Sequence, residues 1–134
     1  MGVIVVGYVP KPEGEAALRL AAEEAQLRGA SLVVVNSHRG GREPDGSEMV
    51  RTGSQLDEVR ARLSRAGIEH EVRQLVRGMD PAEDLVNVAA EVSAEVIIIG
   101  LRRRSPVGKL ILGSNAQRVL LDAPCPVLAV KASE

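Results

Sequence analysis

"EVIIIGLRRRSPVGKLILGSNAQRVL", residues 95–120, is the stretch on which the reading of the whole chain turns. It starts as the most hydrophobic run in the protein, breaks at Gly100 into three consecutive arginines, and ends behind "GS" in a helix-like pattern. An unbroken run of isoleucine suits a strand buried on both faces, and such strands belong to parallel sheets covered by helices. The segment therefore predicts a central strand over 95–100, a basic loop, and a helix from about Ser114 to Leu121.

Working outward, the same grammar recurs. "VIVVGYV" (3–9) is a β-branched run ended by Pro10 and Pro12, a second buried strand. "EGEAALRLAAEEAQLRG" (13–29) is an Ala-, Leu- and Glu-rich helix stopped by Gly29. "SLVVVNS" (31–37) is another buried strand, and "HRGGREPDGSE" (38–48) a loop. The next helix ends at Gly67, with Leu56, Val59 and Leu63 on one face; Ser47 and Ser54 are its two candidate caps. "IEHEVRQLV" (68–76) alternates in its first part, as an edge strand does. Asp80 as N-cap, Pro81 at the first helical position and Glu83 reaching back as in a capping box open a helix whose apolar stripe is Leu85, Val88, Ala89 and Val92. "CPVLAVK" (125–131) is the last strand.

Five strands separated by helices or helix-bearing connections imply parallel pairing with right-handed crossovers. The fold class is α/β, an open three-layer sandwich in one domain over residues 1–134. Ligands of such sheets sit beyond the carboxyl ends of the strands, where the strand order reverses. If the first and fourth strands are neighbours at that point, the crevice is lined by Val9, Pro10 and the segment beginning at Gly100.

Composition narrows the function. One Tyr, no Phe and no Trp leave no aromatic platform for stacking bases, against a single-stranded nucleic-acid binder. Between Val96 and Leu121 stand Arg102, Arg103, Arg104, Lys109 and Arg118 and no acid; with these five of the 17 cations set aside, twelve face 18 acidic residues elsewhere. A locally basic segment on an acidic protein suits a small anion better than a long polyanion. The lone Cys125 and the spacing of His38 and His70 offer neither a disulfide nor a metal set. No apolar stretch reaches 18 residues and the N-terminal run is too short for a signal peptide, which leads to the expectation of a cytoplasmic protein without membrane contact. No nucleophile, base or carboxylate pair stands out, so no catalytic residue and no enzyme activity is expected.

The basic loop is not a P-loop. "Gly108-Lys109" is present, but the earlier glycine position holds Arg103 and the residue after the lysine is Leu110. A dinucleotide fingerprint is missing after the first strand, where "GYVPKP" stands. The start of the following helix, "Gly113-Ser114-Asn115-Ala116-Gln117", is an alternative anion seat, because its first backbone N–H groups lack intrahelical acceptors. Ser114-x-x-Gln117 is equally a capping box, and both readings stay open. Arg102 or Arg103 could fork onto a phosphate.

With "VIVVGYV", "GMDPAEDLVNVAAEVSAEVIIIG", the loop, and "NAQRVLLDAPCPVLAV" in place, the chain resembles the universal stress proteins of single-domain type over almost its whole length. The resemblance implies strand order 3-2-1-4-5, a homodimer through the last strand, and binding of ATP or another adenine nucleotide in a stress-response sensor or sequestering module. The nucleotide motif of that family is Gly, two residues, Gly, nine residues, Gly, then Ser or Thr. Gly100, Gly113 and Ser114 fill it at the right spacing, while Arg103 takes the place of the second glycine. The resemblance places adenine against Val9 and Asn36. Binding relatives carry an Asp where Val9 stands, so an acceptor near the ribose or a metal is lost here. Val9 and Arg103 together favour the alternative of a family member that has lost its nucleotide and acts as a dimeric interaction module.

Overall fold

The structure is a computed structural model and describes residues 2–37, 46–75, 80–102 and 113–132. Nine elements follow one another: β1 (Val3–Gly7), α1 (Pro12–Arg28), β2 (Ser31–Ser37), α2 (Gly46–Arg65), β3 (His70–Leu75), α3 (Pro81–Glu91), β4 (Val96–Leu101), α4 (Ser114–Asp122) and β5 (Val127–Lys131). The five strands form one parallel sheet in the order β3-β2-β1-β4-β5. The order reverses at β1, which pairs with β2 through Val3–Gly7 and with β4 through Ile4↔Val96, Val5↔Ile97 and Val6↔Ile98.

Strand alternation splits the core between the two faces of the sheet. Ile4, Val6, Leu32, Val34 and Ile98 pack with Ala17, Ala21 and Ala25 of α1 and Leu56, Val59 and Leu63 of α2. Val5, Val33, Val35, Ile97 and Ile99 point the other way, onto Leu85, Val88 and Ala89 of α3 and Val119 of α4. The alanines of α1 let that helix lie close over the middle of the sheet. Gly29, in the left-handed region at φ 63°, ends α1 with its N–H on the carbonyl of Ala25.

Several boundaries differ from the sequence reading, each for a local reason. β1 stops at Gly7 rather than at residue 9: the Tyr8 N–H still reaches Val35 O at 2.9 Å, but Lys11 N donates to Val9 O at 2.8 Å and turns the chain off the sheet. α1 begins at Pro12, whose ring suits the first helical position. α2 begins at Gly46, so Ser47 and Ser54 are both inside it and neither caps it. Asp80 does cap α3, accepting from the Glu83 N–H at 3.0 Å. Glu83 does not reach back as in a capping box; its carboxylate accepts from Arg118 Nη2 at 2.8 Å. β5 begins at Val127, after the two prolines.

Candidate functional site

Beyond the carboxyl ends of β1, β2 and β4 lies a cavity of about 400 Å³. That volume suits a small-molecule ligand. Its wall is contributed by Gly7 at the end of β1 and Tyr8, Val9 and Lys11 after it, by Val35 and Ser37 of β2, by Pro81 and Leu85 of α3, by Ile99–Leu101 of β4 and Arg102 after it, and by Gly113 and Ala116 at the start of α4.

Two close approaches shape it. A Cβ on Gly14 would meet Val9 O at 1.8 Å, and a Cβ on Gly100 would meet Glu13 O at 1.9 Å. The first turn of α1 is thus pressed backbone-to-backbone against both the turn after β1 and the end of β4. Gly100 is there to let α1 in. Gly113 is different: among the described residues no heavy atom lies within 4 Å of the Cβ it lacks.

Gly113 is also the N-cap of α4, extended at φ −70° and ψ 163°, and its carbonyl accepts from the Gln117 N–H at 3.0 Å. Ser114 is therefore the first helical residue and not the cap, and Gly113 at the cap has no side chain to offer the helix. The capping-box reading of Ser114 fails on that shift of one position. Among the described residues no side chain accepts from the first N–H groups of α4, which have the positive end of the helix dipole behind them.

α4 is anchored from below. Val119 is buried against the sheet, and Arg118 forks onto α3, bonding Asp80 through Nη1 and Glu83 through Nη2. Accepting the Glu83 N–H, then pairing with Arg118, holds the Asp80 carboxyl below the usual carboxylate range; the same two acids push the Arg118 guanidinium up. Arg118 therefore positions α4 and does not belong to the charge available to an anion. The described cations facing the cavity are Lys11 and Arg102, against one acid, Glu13, whose carboxylate is 4.0 Å from Arg102 Nε. At that separation the contact is long for an ion pair, and Arg102 itself is exposed, so Arg102 can exchange Glu13 for a closer acceptor.

The candidate residues divide as follows. Val9, Gly100, Arg102 and Gly113 line the cavity. Ser114 and Asn115 are exposed at its rim, offering backbone N–H groups. Pro10 faces away, into a separate depression with Tyr8, Pro12 and Arg62. Arg103 lies outside the described residues, as do Arg104 and Lys109. Asn36 is on the wrong face: it is buried with the α1 side of the core, and its Nδ2 donates to Tyr8 O at 3.1 Å. Because side chains alternate along a strand, its neighbours Val35 and Ser37 are the ones in the cavity. Asn36 instead fixes the carbonyl at which the chain leaves β1.

Sequence reasoning passed over Ser37, Lys11, Glu13 and Tyr8. Parity along β2 could have found Ser37, since Leu32 and Val34 share a face with Asn36. Tyr8 had only its position at a strand end. Its hydroxyl donates to Glu15 Oε2 at 2.6 Å, and burial, reinforced by that carboxylate, raises its pKa far above the usual value. Burial also pushes the Cys125 thiol up, which keeps it protonated where it packs beside Ile97 and its neighbours. Among the described residues no three His, Cys, Asp or Glu side chains come together as metal ligands, and no helix is long and apolar enough to cross a membrane.

The sequence profile of the Universal stress protein family matches residues 1–131. The chain belongs to the universal stress protein family. It is 45% identical over 129 residues to a universal stress protein of Mycolicibacterium smegmatis, covering 96% of this chain and 97% of that one. Among solved structures it is similar to the universal stress protein from Archaeoglobus fulgidus, with a TM-score of 0.81, 40% identity and 98% of each chain covered. A second structure, the universal stress protein from Archaeoglobus fulgidus in complex with dAMP, superposes with a TM-score of 0.75 at 34% identity, again over 98% of each chain. The fold expected from the universal stress protein resemblance, strand order included, is the fold found.

Proposed function

We propose that this universal stress protein binds an adenine nucleotide, ATP among them, in the cavity beyond β1, β2 and β4, and serves the stress response as a sensor or store of it. The observation that carries the reading is that, among the described residues, nothing stands in front of Gly113 at the helix start on the wall of that cavity. The relative from Archaeoglobus fulgidus in complex with dAMP supports the ligand class. In this arrangement the phosphate sits on the N–H groups of Ser114 and Asn115, with Arg102 and Lys11 offsetting its charge. The sugar spans the turn at Val9, and the base reaches the end of β2. β2 and β4 flank β1, so their ends are two strand spacings, about 10 Å, apart. Binding is the whole of the proposed activity, without a catalytic step. Mass spectrometry of small molecules released from the freshly purified protein tests the reading. An adenine nucleotide in stoichiometric amount is expected. A protein that arrives empty and takes up no ATP, ADP or AMP at millimolar concentration would refute it.

The same proposal includes a homodimer through β5. That strand is at the sheet edge, Leu128 is 37% exposed on it, and Leu120 and Leu121 are exposed on the helix before it. An uncovered apolar edge invites pairing, and a two-fold axis would let the same strand cover itself. Light scattering at micromolar concentration should give twice the 14.2 kDa chain mass. A monodisperse monomer would contradict it.

A second reading is favoured by Val9 and Arg103 standing where binding relatives have Asp and Gly. Under it the chain is a dimeric interaction module without a nucleotide. It is distinguished by Arg103→Gly, which should create ATP binding in an empty protein and weaken it in one whose arginine already pairs with phosphate.

A further inference from the structure

At the β2 end of the cavity, Ser37 Oγ donates a hydrogen bond to Asp84 Oδ2. Ser37 closes β2 and lines the cavity; Asp84 is in the first turn of α3, one residue before the cavity-lining Leu85. Asp84 is 6% exposed, a rare degree of burial for a carboxylate. The start of α3 offers it the favourable end of a helix dipole, and the Ser37 hydroxyl supplies a hydrogen bond.

The chemistry of the pair fixes its direction. In this bond the hydroxyl donates and Asp84 Oδ2 accepts, and a hydroxyl has one proton to give. With that proton turned to Asp84, Ser37 can show the cavity nothing but lone pairs. We infer that the Ser37–Asp84 pair turns this end of the cavity into an obligate hydrogen-bond acceptor, which selects a base bearing an exocyclic amino group over one bearing an oxo group. Adenine presents an N–H₂ donor to that oxygen. Hypoxanthine presents a carbonyl, and two facing acceptors repel. Asp84 does not touch the ligand; it is a positioning residue that sets which way the serine proton points.

This rests on the reading that a nucleotide occupies the cavity with its base toward β2. The test compares AMP and IMP by calorimetry on the full chain. AMP should bind more tightly by about tenfold, the value of one hydrogen bond made or refused. IMP also differs from AMP in carrying a proton on N1, so the native preference alone does not decide; the change in preference does. In Asp84→Asn the amide can donate to Ser37 Oγ and free its proton, so the preference should shrink to within about threefold. The double variant Ser37→Ala/Asp84→Ala removes both partners of this bond together, which protects the fold, and should show the same loss. A native-sized preference surviving in either variant, with an unchanged thermal midpoint, would overturn the inference. Equal binding of AMP and IMP by the native protein would overturn it too, while leaving the proposed nucleotide site standing. Failure to bind either nucleotide would overturn both.

Discussion

Gly100 and Gly113 stand at the two ends of one sequence motif and on the wall of one cavity, yet they face opposite surroundings. At Gly100 the backbone of α1 comes so near that a Cβ would sit 1.9 Å from Glu13 O. At Gly113 a Cβ would meet no described atom within 4 Å. One glycine is spent on chain-against-chain packing, and the other, among the described residues, has open space before it. A shared motif therefore does not imply a shared physical role, and the two roles predict opposite phenotypes.

The largest effect should come from breaking the tight side. Gly100→Ala must push α1 away from β4, since backbone cannot give as a side-chain tip can. It should cost about 3 kcal/mol or more, as overpacking against a rigid neighbour does. For a chain of this size, thermal unfolding should fall by roughly 10 °C. Gly14→Ala, 1.8 Å from Val9 O, should behave alike. A stable Gly100→Ala with an unchanged midpoint would erase the contrast between the two glycines.

A smaller effect sharpens the open side. Ser114→Ala keeps the backbone N–H and removes only the hydroxyl at the first helical position. It should weaken ATP binding by about 1 kcal/mol, one hydrogen bond, and leave stability unchanged, because Ser114 caps nothing. A fall in stability with intact binding would return Ser114 to the role of a cap.

The smallest effect lies behind the tight side, where Glu15 joins Tyr8 to Arg62. Burial alone would raise the pKa of this carboxyl, but hydrogen bonds from Tyr8 and Arg62 outweigh it and hold it below its usual 4.5. A folded value below the unfolded one stabilises the protein above the usual carboxylate range. That stability is lost as pH falls through the depressed value. Glu15→Gln should flatten the acid side of the stability profile by less than about 1 kcal/mol, because the pair is partly solvated. An unaltered profile would show that the network contributes nothing to holding α1 in place.

The fold was largely legible because its signals are local and repeated. Continuous β-branched runs marked β1, β2 and β4 as buried on both faces. Ala16, Ala17, Ala21 and Ala25 marked the helix that lies close on them, and Asp80-Pro81 marked the start of α3. The site was legible only in outline. The strand-end rule, with the first and fourth strands as neighbours, put Val9 and Gly100 at the crevice, while Gly113 came from the helix start and the family motif. Asn36 came from the family resemblance without a check of strand parity, and one step along β2 crosses to the other face. Arg118 looked like part of a basic patch because its partners, Asp80 and Glu83, lie more than thirty positions earlier in the chain. The packing role of Gly100 had no sequence signal, since the atom it avoids belongs to a helix some 87 residues before it.

The central claim is that an adenine nucleotide fills the space in front of Gly113. Calorimetric titration of ATP and AMP into the native chain and into Gly113→Val tests it most directly. The extended backbone at φ −70° accepts valine, and the change at the cap should cost no more than about 1 kcal/mol, so the variant should fold. The native protein should bind, and Gly113→Val, with a nearly unchanged thermal midpoint, should show no measurable heat of binding. Equal affinity in the two folded proteins would contradict the claim and place the ligand elsewhere.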